Sequence, residues 1–271
     1  MELLSIPLMI LERLELGWTF VLYIARFTAV LALLPGIGMG IQGLVIRLPF
    51  LIILSFVSTS VSIPAEMPIN MGIMIGAIAG EIVFGSMLGI IPALVIAGVQ
   101  TGMQLASTSM GLGASQLIDP HSGVSVSDIS RIYAEVVIVM FLLVSGHHVI
   151  IFAACGMGST IVPGTFLMTE PNMEMLINRT GLVFHMGMII SAPIVVALLL
   201  TQFVMGLISR AVSTVNIFII SYPLTIGIGL IISIMAFPET MRVIGHEFVG
   251  LENIVGAIAE NGMKSSVVPA P

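Results

Sequence analysis

Charge is what this sequence has least of. Its 8 basic and 14 acidic residues are 8% of 271, with a net charge of −6, where ordinary soluble domains carry about 25% charged residues. Such a chain cannot clothe a water-facing surface. With acid in excess it also lacks the basic face that a nucleic-acid binder needs. Lys264 is the only lysine, and no glycine-rich phosphate loop leads into it, which excludes ATP chemistry. The single cysteine, Cys155, permits neither an internal disulfide nor a cysteine zinc site and reads as a small apolar packing residue. A positively charged leader is missing too: the first fifteen residues hold Glu2, Glu12 and Glu15 around Arg13, so no cleaved segment is expected.

What fills the chain instead is apolar side chain, 58% of it. That rules out disorder and points to a polytopic membrane protein or part of a membrane assembly. Six stretches approach the roughly 20 residues that a helical span requires: Leu16–Leu34, Ile41–Ile63, Met71–Val99, Ile132–Cys155, Gly181–Ile208 and Val215–Phe237. All six read as helix, separated by Pro35-Gly36, by Pro64 and Pro68, by the Gly/Ser-rich region 101–130, by Pro163-Gly164 and by the polar turn 209–214. Pro49 either kinks the second stretch or starts a shorter helix there. Pro92, Pro193 and Pro223 also fall inside apolar runs, where protein or water must satisfy the freed backbone groups. Gly72, Gly76, Gly80, Gly85 and Gly89 give the third stretch a face for close helix packing.

The organisation expected is a single helical membrane domain over 1–237, with an unusual loop at about 104–127, followed by a more polar segment at 238–271. That last segment suits an amphipathic interfacial helix and a loose tail. The Lys/Arg bias of the loops does not fix orientation. Arg13, Arg179, Arg242 and Lys264 fall on one side, against Arg47, Arg131 and Arg210 on the other.

Few residues offer chemistry. Arg26 sits inside the first stretch and Glu81 inside the third, where a lone charge costs about 2.5–3.5 kcal/mol even on the lenient insertion scale. Each needs a partner. They can pair with one another, as a structural or subunit contact, or serve a proton or ion relay. Arg131 and Glu135, four residues apart, suit a local helical pair. Consecutive His147 and His148 diverge by about 100° on a helix and cannot share one metal without distortion; after Gly146 they mark a helix end. Ser145-Gly146-His147 lacks the geometry of a nucleophile and its base, so no catalytic set is assembled, and no metal or cofactor is implied. In the loop, Ser107 to Ala114 is small and hydroxylated, and Asp119-Pro120-His121-Ser122-Gly123 suits a type I turn. A segment too polar for lipid and too apolar for an exposed loop can line or obstruct a pore. Met110, one of 20 methionines, supplies a thioether able to seal around varied shapes.

Several passages, in order, resemble the FliR family, the R-type subunits of the bacterial flagellar type III export gate. They are Arg26-Phe27-Thr28-Ala29, Glu81 through Gly89, Asp119-Pro120-His121-Ser122-Gly123 and Gly146-His147-His148, then Gly206-Leu207-Ile208-Ser209-Arg210, Asn216-Ile217-Phe218 and Ser221-Tyr222-Pro223-Leu224. Together they run from about residue 20 to 230. The chain departs from the family pattern at Ser213, where proline is usual, and at Ser221-Tyr222, where Gly-Phe is usual.

The resemblance implies an all-α, polytopic protein of long, kinked helical hairpins within a hetero-oligomeric export gate. It implies partnership with P-type and Q-type subunits (FliP, FliQ) around a central pore, beside the B-type switch (FlhB) and A-type (FlhA) subunits. The setting would be the inner membrane at the flagellar basal body. The cargo would be unfolded flagellar proteins, moved by the proton-motive force with a separate cytoplasmic ATPase. It places a pore plug at about Gly111 to Val126, which takes in Leu112, Gly113, Ala114, Ser115, Asp119 and Pro120, with Met110 at its root. Arg26, Glu81, Arg131, Glu135, Arg210 and Asn216 are the residues expected to act as buried charges or in assembly, and the resemblance implies that many apolar stretches touch sister subunits rather than lipid. Such a subunit is no enzyme. The injectisome's T-type subunit is a related alternative from which these motifs stand further. A stand-alone secondary transporter would need paired repeats and a midplane polar site, and the sequence has no convincing repeat.

Overall fold

A computed structural model describes residues 2–36, 40–112, 128–156, 162–211 and 217–264. Eight helices carry these residues: α1 (Glu2–Leu33), α2 (Gly40–Val61), α3 (Met71–Met110), α4 (Asp128–Leu143), α5 (Gly146–Ala154), α6 (Glu170–Ala211), α7 (Ile217–Val249) and α8 (Leu251–Lys264). Among the described residues there is no strand. Four runs are long and apolar enough to cross a bilayer: Arg13–Leu33, Met71–Met110, Glu170–Ala211 and Ile220–Asn261. The bent pair α4 and α5 is a fifth only when its two helices count as one broken span rather than a re-entrant turn. The protein is an all-α polytopic membrane protein.

Among the described residues, four candidate spans, or five with the bent pair counted as one, stand against the six expected. The apolar part of α2, Val45–Val61, is about 26 Å long at 1.5 Å per residue, short of the roughly 30 Å hydrocarbon core. The helix itself runs on through Pro49. The fourth stretch is not one helix, because α4 and α5 meet at 63°. Ser145 at that break takes a left-handed backbone, φ 61°, and the ring of Phe141 packs over Gly146, where a side chain would collide with it. The third stretch is longer than expected and continues to Met110, so residues 104–110 of the expected loop are helical. Likewise α7 passes through Pro238 unbroken, and the boundary placed at 237/238 falls inside it.

The chain forms two compact units. One takes Met1–Ala93, Phe141–Asn178 and Phe248–Pro271. Its α1 and α2 pack together, and α5 lies against α8 and α1. Trp18, Leu22, Ala65 and Ala77 form a buried cluster with Met74 and Ile78 against it. The hydroxyl of Thr19 accepts the Ala65 N–H at 2.8 Å. Amphipathic α8 buries Leu251, Ile254, Val255 and Ile258 while Glu252 and Glu260 stay outside, the three-to-four spacing of a packed face. The Asn172 side chain donates to the Ile258 carbonyl. The expected interfacial helix is thus docked on its own protein.

The other unit takes Leu94–Met140 and Arg179–Glu247. Here α3 and α6 approach backbone to backbone, since a Cβ on Gly102 would stand 2.6 Å from the Gly187 carbonyl and one on Gly98 3.0 Å from the Met186 Cβ. Tyr133 reaches the Ser233 carbonyl and hydroxyl at 2.8 Å each and meets Phe237 edge-on.

Candidate functional site

Glycine makes the first site possible. On α3, a Cβ at Gly85 would run into the Arg26 carbonyl, one at Gly89 would stand 2.9 Å from the Leu33 Cβ, and one at Gly80 2.6 Å from the Phe166 carbonyl. Gly76 meets nothing within 4 Å, so only part of the glycine series serves close packing. This approach lets two charges on different helices meet. Arg26 Nε donates to Glu81 Oε2 at 2.5 Å, and both side chains are fully buried.

The remaining valences of the pair are also largely filled. Arg26 Nη1 donates to the Ala154 carbonyl at the end of α5, 3.1 Å away, and Glu81 Oε1 accepts the Gly164 N–H at 2.7 Å. Arg26 Nη2 finds no acceptor among the described residues. Instead the guanidinium lies between two aromatic faces, 5.0 Å from the Tyr23 ring centroid and 4.9 Å from that of Phe84, a favourable place for a desolvated cation. Phe84 in turn packs on Phe166. Gly164, with φ +85°, turns the chain so that its N–H points at the carboxylate. One ion pair therefore ties α1, α3, the end of α5 and the turn before α6. A buried pair with most of its hydrogen bonds filled fixes geometry, and removing one partner is far costlier than the pair's net contribution.

The second site is the end of α3. Gly111 has φ +93°; its N–H donates to the Thr108 carbonyl and that of Leu112 to the Ser107 carbonyl, a Schellman ending that requires glycine at the left-handed position. Met110 is buried. Gly113, Ala114, Ser115, Asp119, Pro120 and Asn216 lie outside the described residues.

The other singled-out residues are not gathered at either site. Arg131 and Glu135 are exposed on α4, and among the described residues neither forms an ion pair within 4 Å. Arg preceding Glu is the weaker orientation for such a pair. Arg210 is exposed in the last turn of α6. The rings of His147 and His148 lie tilted at 39° to one another, with centroids 4.0 Å apart, at the start of α5. Among the described residues no three His, Cys, Asp or Glu side chains converge as metal ligands. Sequence reasoning missed Gly164, Ala154 and the aromatic pair Tyr23 and Phe84. The Pro163-Gly164 turn was visible, but its N–H contact with residue 81 leaves no mark in local sequence.

Fold and site together define a helical membrane protein whose buried charge is spent on fastening helices. The family model for bacterial export proteins, family 1, matches residues 18–251, and the chain belongs to that family. It is similar to proteins called flagellar biosynthetic protein FliR. The one from Escherichia coli K12 is 25% identical over 162 residues, 60% of this chain and 62% of the relative. That from Pectobacterium carotovorum is 24% identical over 137 residues, 51% and 52% of the two chains. That from Aquifex aeolicus is 26% identical over 156 residues, 58% of each. The chain thus covers between half and two-thirds of the length of these relatives.

Proposed function

We propose that this protein is a structural, pore-forming subunit of the flagellar type III export gate in the bacterial inner membrane, at the flagellar basal body. Its partners are the P-type and Q-type subunits, with the B-type switch and A-type subunits beside them, and its cargo is unfolded flagellar proteins. It is not an enzyme. The observation that carries this reading is the apolar surface left uncovered on helices too long for lipid alone. In α6, exposed Met173, Phe184, Val196, Leu200, Phe203 and Ile208 extend over about 50 Å of helix, against about 30 Å of hydrocarbon. On α2 the arrangement is inverted: Ser55, Ser58 and Thr59 are buried, while Ile46, Phe50, Ile53 and Phe56 are exposed. Sibling subunits of like composition supply the cover that a bilayer cannot. Family membership and the flagellar names of the relatives support the same reading.

The segment that follows Gly111 is the pore's plug at rest in this reading, and such a plug has to be bistable, shut only by packing that an entering chain can displace. Co-expression with P-type and Q-type subunits tests the assembly: a stable mixed complex is expected, and a monodisperse solitary chain that transports substrate unaided would overturn it. Deleting Gly111–Gln116 should raise ion leakage across membrane vesicles. Unchanged conductance would remove the plug from the proposal.

A further inference from the structure

At the end of an α-helix the last carbonyls have no partner within the helix, and each must find a donor. The Schellman turn of α3 serves the Ser107 and Thr108 carbonyls from the backbone. The next three are served by side chains from elsewhere in the same unit. Gln202 of α6 donates to the Ser109 carbonyl at 3.4 Å, Thr225 of α7 to the Met110 carbonyl at 3.2 Å, and the Tyr222 hydroxyl to the Gly111 carbonyl. Where α3 ends is therefore set by α6 and α7 as much as by its own sequence.

The side chains interlock as well. Gly229 on α7 leaves a notch filled by Met110: a Cβ at 229 would be 2.6 Å from the Met110 Cγ and 2.9 Å from its Sδ. The Tyr222 ring lies over Gly111, where a Cβ would come within 3.1 Å of it. From these contacts we infer that Tyr222, Thr225 and Gly229 form a releasable latch on Met110 and Gly111. They are positioning residues that fix the point from which the segment after α3 departs. The inference rests on the plug reading for its purpose, and on the contacts alone for its existence.

Release is built into the chemistry. The Thr225 hydroxyl carries one proton and has two acceptors in reach, the Met110 carbonyl at 3.2 Å and the Tyr222 carbonyl of its own helix at 3.0 Å. When Met110 leaves, that proton passes to the nearer acceptor and no donor is orphaned. Tyr222 is 42% exposed, so its hydroxyl finds another partner outside the latch. Opening the latch therefore strands no side-chain donor, and its cost falls on the Met110 and Gly111 carbonyls and on the buried Met110 side chain.

The test uses the full-length chain in membrane vesicles with Met110→Cys as reporter and the native Cys155, in the other unit, as internal control. The two thiols are told apart by peptide mass after maleimide labelling. Tyr222→Phe or Thr225→Val should each speed labelling at 110 by about 2- to 12-fold, the net worth of one hydrogen bond, and leave labelling at Cys155 unchanged. No change at 110 in either variant, or equal acceleration at both thiols, would overturn the latch. With Met110 kept, Gly229→Ala should lower the thermal midpoint and Met110→Ala with Gly229→Ala should recover part of the loss; no recovery would refute the notch. Ion leakage in the Tyr222→Phe vesicles separates the two readings. Faster labelling with raised leakage supports both. Faster labelling without leakage keeps the latch and discards the plug.

Discussion

Glu81→Ala removes in one step the acceptor of Arg26 Nε at 2.5 Å and of the Gly164 N–H at 2.7 Å. The guanidinium is left with the Ala154 carbonyl at 3.1 Å. Because both side chains are fully buried, no solvent takes up the stranded charge. Losing one member of a buried pair costs about 3–5 kcal/mol, and an orphaned N–H adds about 1–3 kcal/mol. The sum approaches the whole stability of an ordinary domain, about 5–15 kcal/mol, so little folded chain should accumulate. Detergent extraction of a fluorescently tagged chain, followed by size exclusion and a heat step, reads this directly, with flagellar protein secretion measured in parallel. Arg26→Met with Glu81→Leu should be milder than Glu81→Ala, since it strands only the Ala154 carbonyl and the Gly164 N–H and no charge. The reasoning fails if Glu81→Ala accumulates and melts like the parent while secretion stops, which would make the pair a relay in transport. It fails equally if the double variant loses the sum of the two single losses.

Gly85→Val drives a side chain into the Arg26 carbonyl and should cost about 1–3 kcal/mol or more, whereas Gly76→Ala, with nothing within 4 Å, should gain about 0.5–1 kcal/mol; thermal midpoints of the two variants check the contrast. Tyr133→Phe gives up both contacts to Ser233 and should lower stability by about 0.5–1.5 kcal/mol, read as the same midpoint. Arg179→Ala breaks a pair with Glu247 at 3.3 Å whose side chains are 31% and 26% exposed. Screening holds its effect below about 1 kcal/mol, and a larger drop in high salt as well as low would contradict that estimate.

Polar residues inside apolar runs decided where sequence and fold part. Thr101, Thr108 and Ser109 mark a loop when read as composition, yet each hydroxyl donates to a carbonyl one turn back: Ala97, Gln104 and Leu105 respectively. Served that way, they stay in the helix, and α3 reaches Met110. Arg26 and Glu81 were legible as residues in need of partners because burying a lone charge is costly wherever the chain folds. The Ala154 carbonyl and Gly164 N–H were not, since any residue type can present a backbone group. For Arg131 and Glu135 the spacing was right and the contact absent, because exposure gives a long side chain little reason to hold one rotamer.

Low charge determined that this protein lives in or against a membrane, and apolar runs near 20 residues determined that it is helical, since a helix of that length satisfies its own backbone while hiding its side chains in an apolar surrounding. The sequence also marked, through Pro35, Pro64 and the Pro163-Gly164 turn, three of the seven places where the described helices part. Only the tertiary structure decided which helices touch, which side-chain donors close the end of α3, and which apolar surfaces remain open. Those outcomes depend on side chains 55 to 128 residues apart in sequence meeting within hydrogen-bond distance, and local pattern carries no record of so distant a neighbour.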